Sequence, residues 1–88
     1  MEDRRIKYHT LDTWPVFFEA VISGLKTFEI RKDDRGFKVG DCLTLIEYDP
    51  QTDKHSGRMQ TFRISYKMGG GAFGLENGYC ALGIEAMK

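Results

Sequence analysis

The sequence has no excess of charge: thirteen Lys and Arg face thirteen Asp and Glu, a formal balance of +0. That excludes a domain that coats duplex nucleic acid through bulk positive charge and leaves only a local basic groove as an option. Long apolar runs are missing too. Nothing approaches the roughly 18 residues of a membrane span, and the charged opening MEDRRIK does not read as a secretory signal. A cytoplasmic location without membrane contact is therefore expected. The two cysteines, Cys42 and Cys80, have neither CxxC nor metal-ligand spacing. They are expected to be reduced core residues, with no metal or cofactor called for. With two prolines and no repeats or low-complexity stretches, no linker divides the chain.

What is present is the composition of one small folded domain spanning residues 1–88, 41% hydrophobic, 12% aromatic and 30% charged. Disorder is excluded at that apolar content. A chain of this size buries only roughly 60–65% of its unfolded surface, so its core must be compact.

Alternation over Ile6 to Leu11 predicts a first strand. A helix should follow from LDTWP, with Asp12 or Thr13 capping its exposed amides and Pro15 in the first turn, where a missing donor costs nothing. Trp14, Phe17, Phe18, Val21, Ile22 and Leu25 recur at helical spacing and predict one apolar face, with the three aromatics as core anchors. Gly24 should end the helix as a left-handed C-cap. Everything beyond reads as β: a strand over Thr27 to Lys32, then a corner at VGD where Gly40 takes positive φ and Asp41 bonds the backbone. Two further strands, CLTLIEYD and RMQTFRISYKM, are separated by the loop PQTDKHSG, in which His55 should be exposed. The glycine-rich run MGGGAFGLENG opens no helix that could bind an anion, so it is expected to be a mobile loop at a barrel mouth. A last strand starts at Tyr79. Five strands and one helix predict an α+β fold, a small closed or nearly closed β-barrel with the helix packed against it.

The stretch GLKTFEIR, Gly24 to Arg31, concentrates charge inside a strand. Period two places Thr27, Glu29 and Arg31 on one face and Phe28 and Ile30 on the other, which is expected to meet the core. The polar face then looks at solvent or at a cleft beside the helix. An exposed Glu–Arg pair contributes only roughly 0–1 kcal/mol, and spacing alone leaves a surface pair and a functional site both open. Around the stretch, Lys26, Arg31, Lys32, Arg35 and Lys38 outnumber Glu29, Asp33 and Asp34.

GLKTFEIR also matches the GxKxxExR signature of the ASCH family, a branch of the PUA-like superfamily of small β-barrels, at Gly24, Lys26, Glu29 and Arg31. The whole segment from Tyr8 to Pro50, and the ending GLENGYCALGIE, resemble the short ASCH-like domains of bacteria and their phages. The resemblance implies a PUA-like barrel that binds RNA or a nucleotide-like ligand in a cleft lined by the motif. One branch of similar fold is an acetylcytidine amidohydrolase that uses the motif lysine and a threonine three residues later. Lys26 matches that lysine, but Glu29 stands in the threonine's place. Ribonuclease activity is reported for another member, and a protein-interaction module is a third option.

The candidate ligand-binding residues are His9, Lys26, Glu29, Arg31, Arg35 and Tyr48. Arg31 and Lys26 would neutralise a phosphate. Glu29 would accept from a base's amino edge, orient Arg31 or, with Lys26, form the acid/base pair of an enzyme. His9 would share the cleft or serve as a half-buried structural histidine. Tyr48 would stack on a base or pack at the rim.

Overall fold

The computed structural model describes residues 5–87. Residues 1–4 of the charged opening and Lys88 lie outside the described residues. The chain runs β1 (Tyr8–Thr13), α1 (Pro15–Ile22), β2 (Phe28–Lys32), β3 (Cys42–Asp49), β4 (Lys54–Gly69) and β5 (Tyr79–Ala86). All five strands join one sheet in the order β1-β3-β4-β5-β2, which curls into a half-barrel. The fold is thus a small α+β half-barrel with one short helix. The sheet stays open between β1 and β2, its two edge strands.

Alternation explains most of the core. His9, Leu11 and Thr13 point inward from β1 while Tyr8, Thr10 and Asp12 point out. Leu43, Leu45, Ile64, Cys80 and Leu82 are completely buried in the middle strands. Each such leucine or isoleucine contributes roughly 1.5–3 kcal/mol by leaving water. Cys42 and Cys80 are both buried free thiols, and burial pushes the Cys80 thiol up from its ordinary pKa.

The second half of the expected PQTDKHSG loop is strand, and only Pro50 to Asp53 form the turn. β4 begins at Lys54 and forms a hairpin with β3, pairing Asp49 with Lys54 and Tyr48 with His55. Asp53 takes the positive φ of that turn. Over its sixteen residues β4 pairs first with β3 and then with β5. The register against β5 shifts between Ile64 and Tyr66, and the bulge bends the strand, as an extra residue on one side must. Gly83 lies opposite the bulge, where a Cβ would stand 3.1 Å from the Ser65 hydroxyl oxygen.

The helix is only eight residues long and buries Phe18 and Val21, with Ile22 partly covered. Trp14, Phe17 and Leu25 are not core anchors; all three are exposed. Two turns of helix can press only a narrow i, i+3 stripe against the sheet. The N-cap is Trp14, with no side-chain cap from Asp12 or Thr13. Those two residues belong to β1 and use their side chains elsewhere. Pro15 occupies the first turn as expected. At the other end Gly24 adopts φ 84°. Its N–H donates to the Val21 carbonyl, and the Leu25 and Lys26 N–H groups both donate to the Ala20 carbonyl. This Schellman-type closure turns the chain sharply into β2 and sets the start of Lys26.

At the VGD corner Gly40 has φ 97°, and the Asp41 carboxylate accepts from the backbone N–H groups of Lys7 and Lys38. The glycine-rich segment between β4 and β5 is a compact turn closed by an Ala72–Leu75 bridge. Gly69, Gly71 and Gly74 do fall at G-x-G-x-x-G spacing, but the chain returns into β5 and not into a helix, so no helix N-terminus meets a phosphate there. Gly70 is required by contact: a Cβ there would lie 2.0 Å from the Glu76 carbonyl oxygen. Among the described residues no helix is long and apolar enough to cross a membrane.

Candidate functional site

The register of β2 against β5 decides which of its faces looks inward. Glu29 pairs with Leu82 and Arg31 with Cys80, while Phe28 pairs with Gly83 and Ile30 with Ala81. Directly opposed residues in an antiparallel pair share a face. Leu82 and Cys80 are core residues, so Glu29 and Arg31 point into the half-barrel. Phe28 and Ile30 point away from it, 46% and 53% exposed, whereas Glu29 is only 3% exposed. This reverses the expectation that the two apolar residues face the core.

A buried carboxylate requires compensation, and Glu29 has it on both oxygens. Lys26 Nζ donates to Oε2 at 2.5 Å, and Arg31 donates to Oε1 from Nε at 3.0 Å and from Nη2 at 2.8 Å. Nη2 donates further to the Thr13 hydroxyl at 3.1 Å, across the open seam. Lys26 is held from above as well. Its ammonium donates to the Phe28 carbonyl at 2.6 Å and lies 4.8 Å from the centre of the Phe28 ring and 5.7 Å from that of Phe17. Both rings therefore offer it cation–π attraction.

This cluster forms the floor of a cleft of about 400 Å³ lined by Asp12, Thr13, Trp14, Phe17, Lys26 and residues Phe28 to Arg31. The volume lies within the roughly 300–1,000 Å³ of small-molecule sites. Trp14 and Phe17 stack with ring centres 6.0 Å apart and interplanar angle 24°. They form one wall, and Phe28 and Ile30 belong to the opposing strand. At the rim the Asp12 carboxylate pairs with His55 Nε2 at 2.9 Å.

Lys26, Glu29 and Arg31 thus come together in one cleft. His9, Arg35 and Tyr48 do not line it. His9 is buried at the VGD corner, where Nε2 meets Asp41 at 3.0 Å and the ring packs edge-on against Phe37. Burial pushes the Asp41 carboxyl up, but bonds from His9 and from the Lys7 and Lys38 amides outweigh it and hold it below its ordinary value. Arg35 donates to the Thr10 carbonyl at 2.7 Å, tying the β2–β3 connection to β1 through a carbonyl and not through an ion pair with a carboxylate. Tyr48 donates to Asp53 at 2.6 Å, a bond that raises its pKa, and its ring rests against His55.

Thr13, Trp14, Phe17 and Phe28 join the cleft without having been expected there. The available signal was the shortness of the helix. Pro15 and Gly24 confine it to about two turns, of which Phe18 and Val21 form the buried stripe, while Trp14 and Phe17 stay exposed. Among the described residues no His, Cys, Asp and Glu group is arranged to hold a metal. No curated protein matches the chain. Over residues 8–84 it matches the family described as a domain of unknown function, DUF3850, and with nearly its whole length inside that match the chain belongs to this family.

Proposed function

We propose that this domain is an ASCH-type, PUA-like module of the cytoplasm that binds RNA or a nucleotide-like ligand, with a base held in the cleft beside α1. One observation carries the reading: the exposed rings of Trp14, Phe17 and Phe28 surround the Lys26–Glu29–Arg31 cluster in a single concavity. Aromatic walls stack on any base face, worth about 1–3 kcal/mol per base. The fixed polar floor then orients what enters. The neutral chain favours one nucleotide or a short single strand over a long duplex.

Trp14 is the one tryptophan in the sequence, so its indole N–H resonance reports on the cleft alone. Titration with short single-stranded RNAs is expected to shift that resonance saturably. An unmoved indole signal, with RNA at millimolar concentration, would refute the proposal. Association with a protein that survives nuclease and Trp14→Ala would point to the protein-interaction alternative.

An enzymatic reading is favoured by the direct 2.5 Å contact between Lys26 Nζ and Glu29 Oε2, the geometry of an acid/base pair. Turnover of short RNAs or acetylated cytidine by the parent protein, lost in Glu29→Gln, would establish it.

A further inference from the structure

We infer that the cleft selects bases by their carbonyl oxygens and disfavours an amino group at the same edge, an inference that rests on the nucleotide reading above. It comes from counting hydrogen-bonding capacity on the floor. Arg31 carries five N–H donors and Lys26 three. Arg31 spends Nε and Nη2 on Glu29 and Thr13, and among the described residues no acceptor meets Nη1. Lys26 spends two donors, on Glu29 and the Phe28 carbonyl. Two N–H groups of Arg31 and one of Lys26 therefore remain, on side chains 24% and 19% exposed.

On the floor the acceptors are taken: both Glu29 oxygens are engaged and its side chain is only 4% exposed. The remaining carboxylate, Asp12, stands at the exposed rim with Oδ1 bonded to His55. The floor thus offers donors to an incoming ligand. A base amino group would meet them donor to donor, and its desolvation would go uncompensated. A carbonyl oxygen would accept from them. Glu29 consequently positions the two cations and does not read an amino edge.

The same donors suit a phosphate oxygen, but the cleft as a whole does not. Two cations and two carboxylates line it, Lys26 and Arg31 against Glu29 and Asp12, so a phosphate gains no net attraction. Its walls are aromatic and aliphatic, suited to a flat ring. The geometry therefore favours the base over the phosphate as the group that meets Arg31 Nη1. Thr13 is the positioning residue: by accepting from Nη2 it fixes the guanidinium plane and leaves Nη1 as the nitrogen without a protein acceptor among the described residues.

The test uses nucleotide pairs that share sugar and phosphate and differ in the base edge, inosine against adenosine monophosphate and uridine against cytidine monophosphate. The Trp14 indole and Arg31 Nε–H resonances of the intact protein report binding. Inosine and uridine monophosphates should bind at least about tenfold more tightly than their amino partners. In Thr13→Val the stacking shift of Trp14 should persist while the preference falls. Equal affinity within both pairs overturns the inference and leaves the nucleotide reading in place. Ribose 5-phosphate moving Arg31 as strongly as the nucleotides would also overturn it, since phosphate would then be the recognised acceptor. If none of the four binds, the inference is overturned, while the nucleotide reading stands or falls with the RNA titration above.

Discussion

Arg31 Nη2 donates to the Thr13 hydroxyl at 3.1 Å, and that bond joins β2 to β1, the two strands at which the sheet ends. Exposed strand edges invite pairing with other chains. Here two arginines span the gap, since Arg35 also reaches the Thr10 carbonyl of β1. Arg31 therefore has two tasks, fastening the seam and presenting donors to the cleft. Arg31→Ala is expected to lower unfolding free energy by about 1–3 kcal/mol while also removing ligand binding. Urea denaturation would show this, and an unchanged midpoint would mean that the seam does not depend on it.

Trp14 offers the cleaner separation of binding from stability. Its ring is exposed and stacks on Phe17, and its role as N-cap uses backbone atoms alone. Trp14→Ala should weaken RNA binding by roughly tenfold or more, the loss of one stacking surface. Unfolding free energy should move by less than about 0.5 kcal/mol. Calorimetric titration against the parent protein measures the first, and a denaturation curve the second.

Glu29 holds both cations of the cleft floor. Glu29→Gln leaves Lys26 and Arg31 side by side without their shared counter-charge, and turns an amide N–H₂ toward one of them. A loss of about 2 kcal/mol is expected. Equilibrium unfolding that agrees with the parent within error would show the cluster to be dispensable for folding.

The VGD corner sets a pH dependence. The Asp41 carboxyl is held below its ordinary value by His9 and by the Lys7 and Lys38 amides. A depressed carboxyl stabilises the fold fully above its unfolded value of about 3.9, and the contribution is lost as pH falls through the folded value. Asp41→Asn should therefore be less stable than the parent above about pH 4, with the gap closing as the solution is acidified further. A stability difference that stays constant from neutral pH down to about pH 2 would contradict this.

Phe73 sits at φ 55° in the Ala72–Leu75 turn, followed by Gly74 at φ 81°. The Leu75 N–H donates to the Ala72 carbonyl at 3.0 Å. Two positive φ values in succession are those of a type I′ turn, whose first position favours Asn, Asp or Gly. Phe73 is 95% exposed and gains no packing there. Phe73→Asn should raise stability by about 0.5–1 kcal/mol. A decrease would mean that the ring has a contact worth more than the backbone strain.

Much of the scaffold was legible in the chain because short-range rules govern it. Pro15 and Gly24 bracket the helix through the φ values they permit. Gly40 supplies the positive φ of its corner and Asp41 bonds Lys38 across it, and the alternation of Leu43 and Leu45 follows the pleat. The candidate site was only half legible. Lys26, Glu29 and Arg31 stand close together in sequence and do converge. His9, Arg35 and Tyr48 find nearer partners in Asp41, the Thr10 carbonyl and Asp53.

By itself the sequence determined that Glu29 and Arg31 share one face of a strand and Phe28 and Ile30 the other, since period two is a property of the extended backbone. Which face turns inward was decided only by tertiary structure. Hydrophobicity alone would bury Phe28 and Ile30. Pairing with β5 aligns Glu29 with Leu82, and Lys26 and Arg31 satisfy the carboxylate that this alignment buries. Thr13 completes the arrangement from a strand eighteen positions earlier, a partner that no local pattern could supply. With the charged face inside, Phe28 was left outside to border a cleft with the rings of a helix too short to bury them.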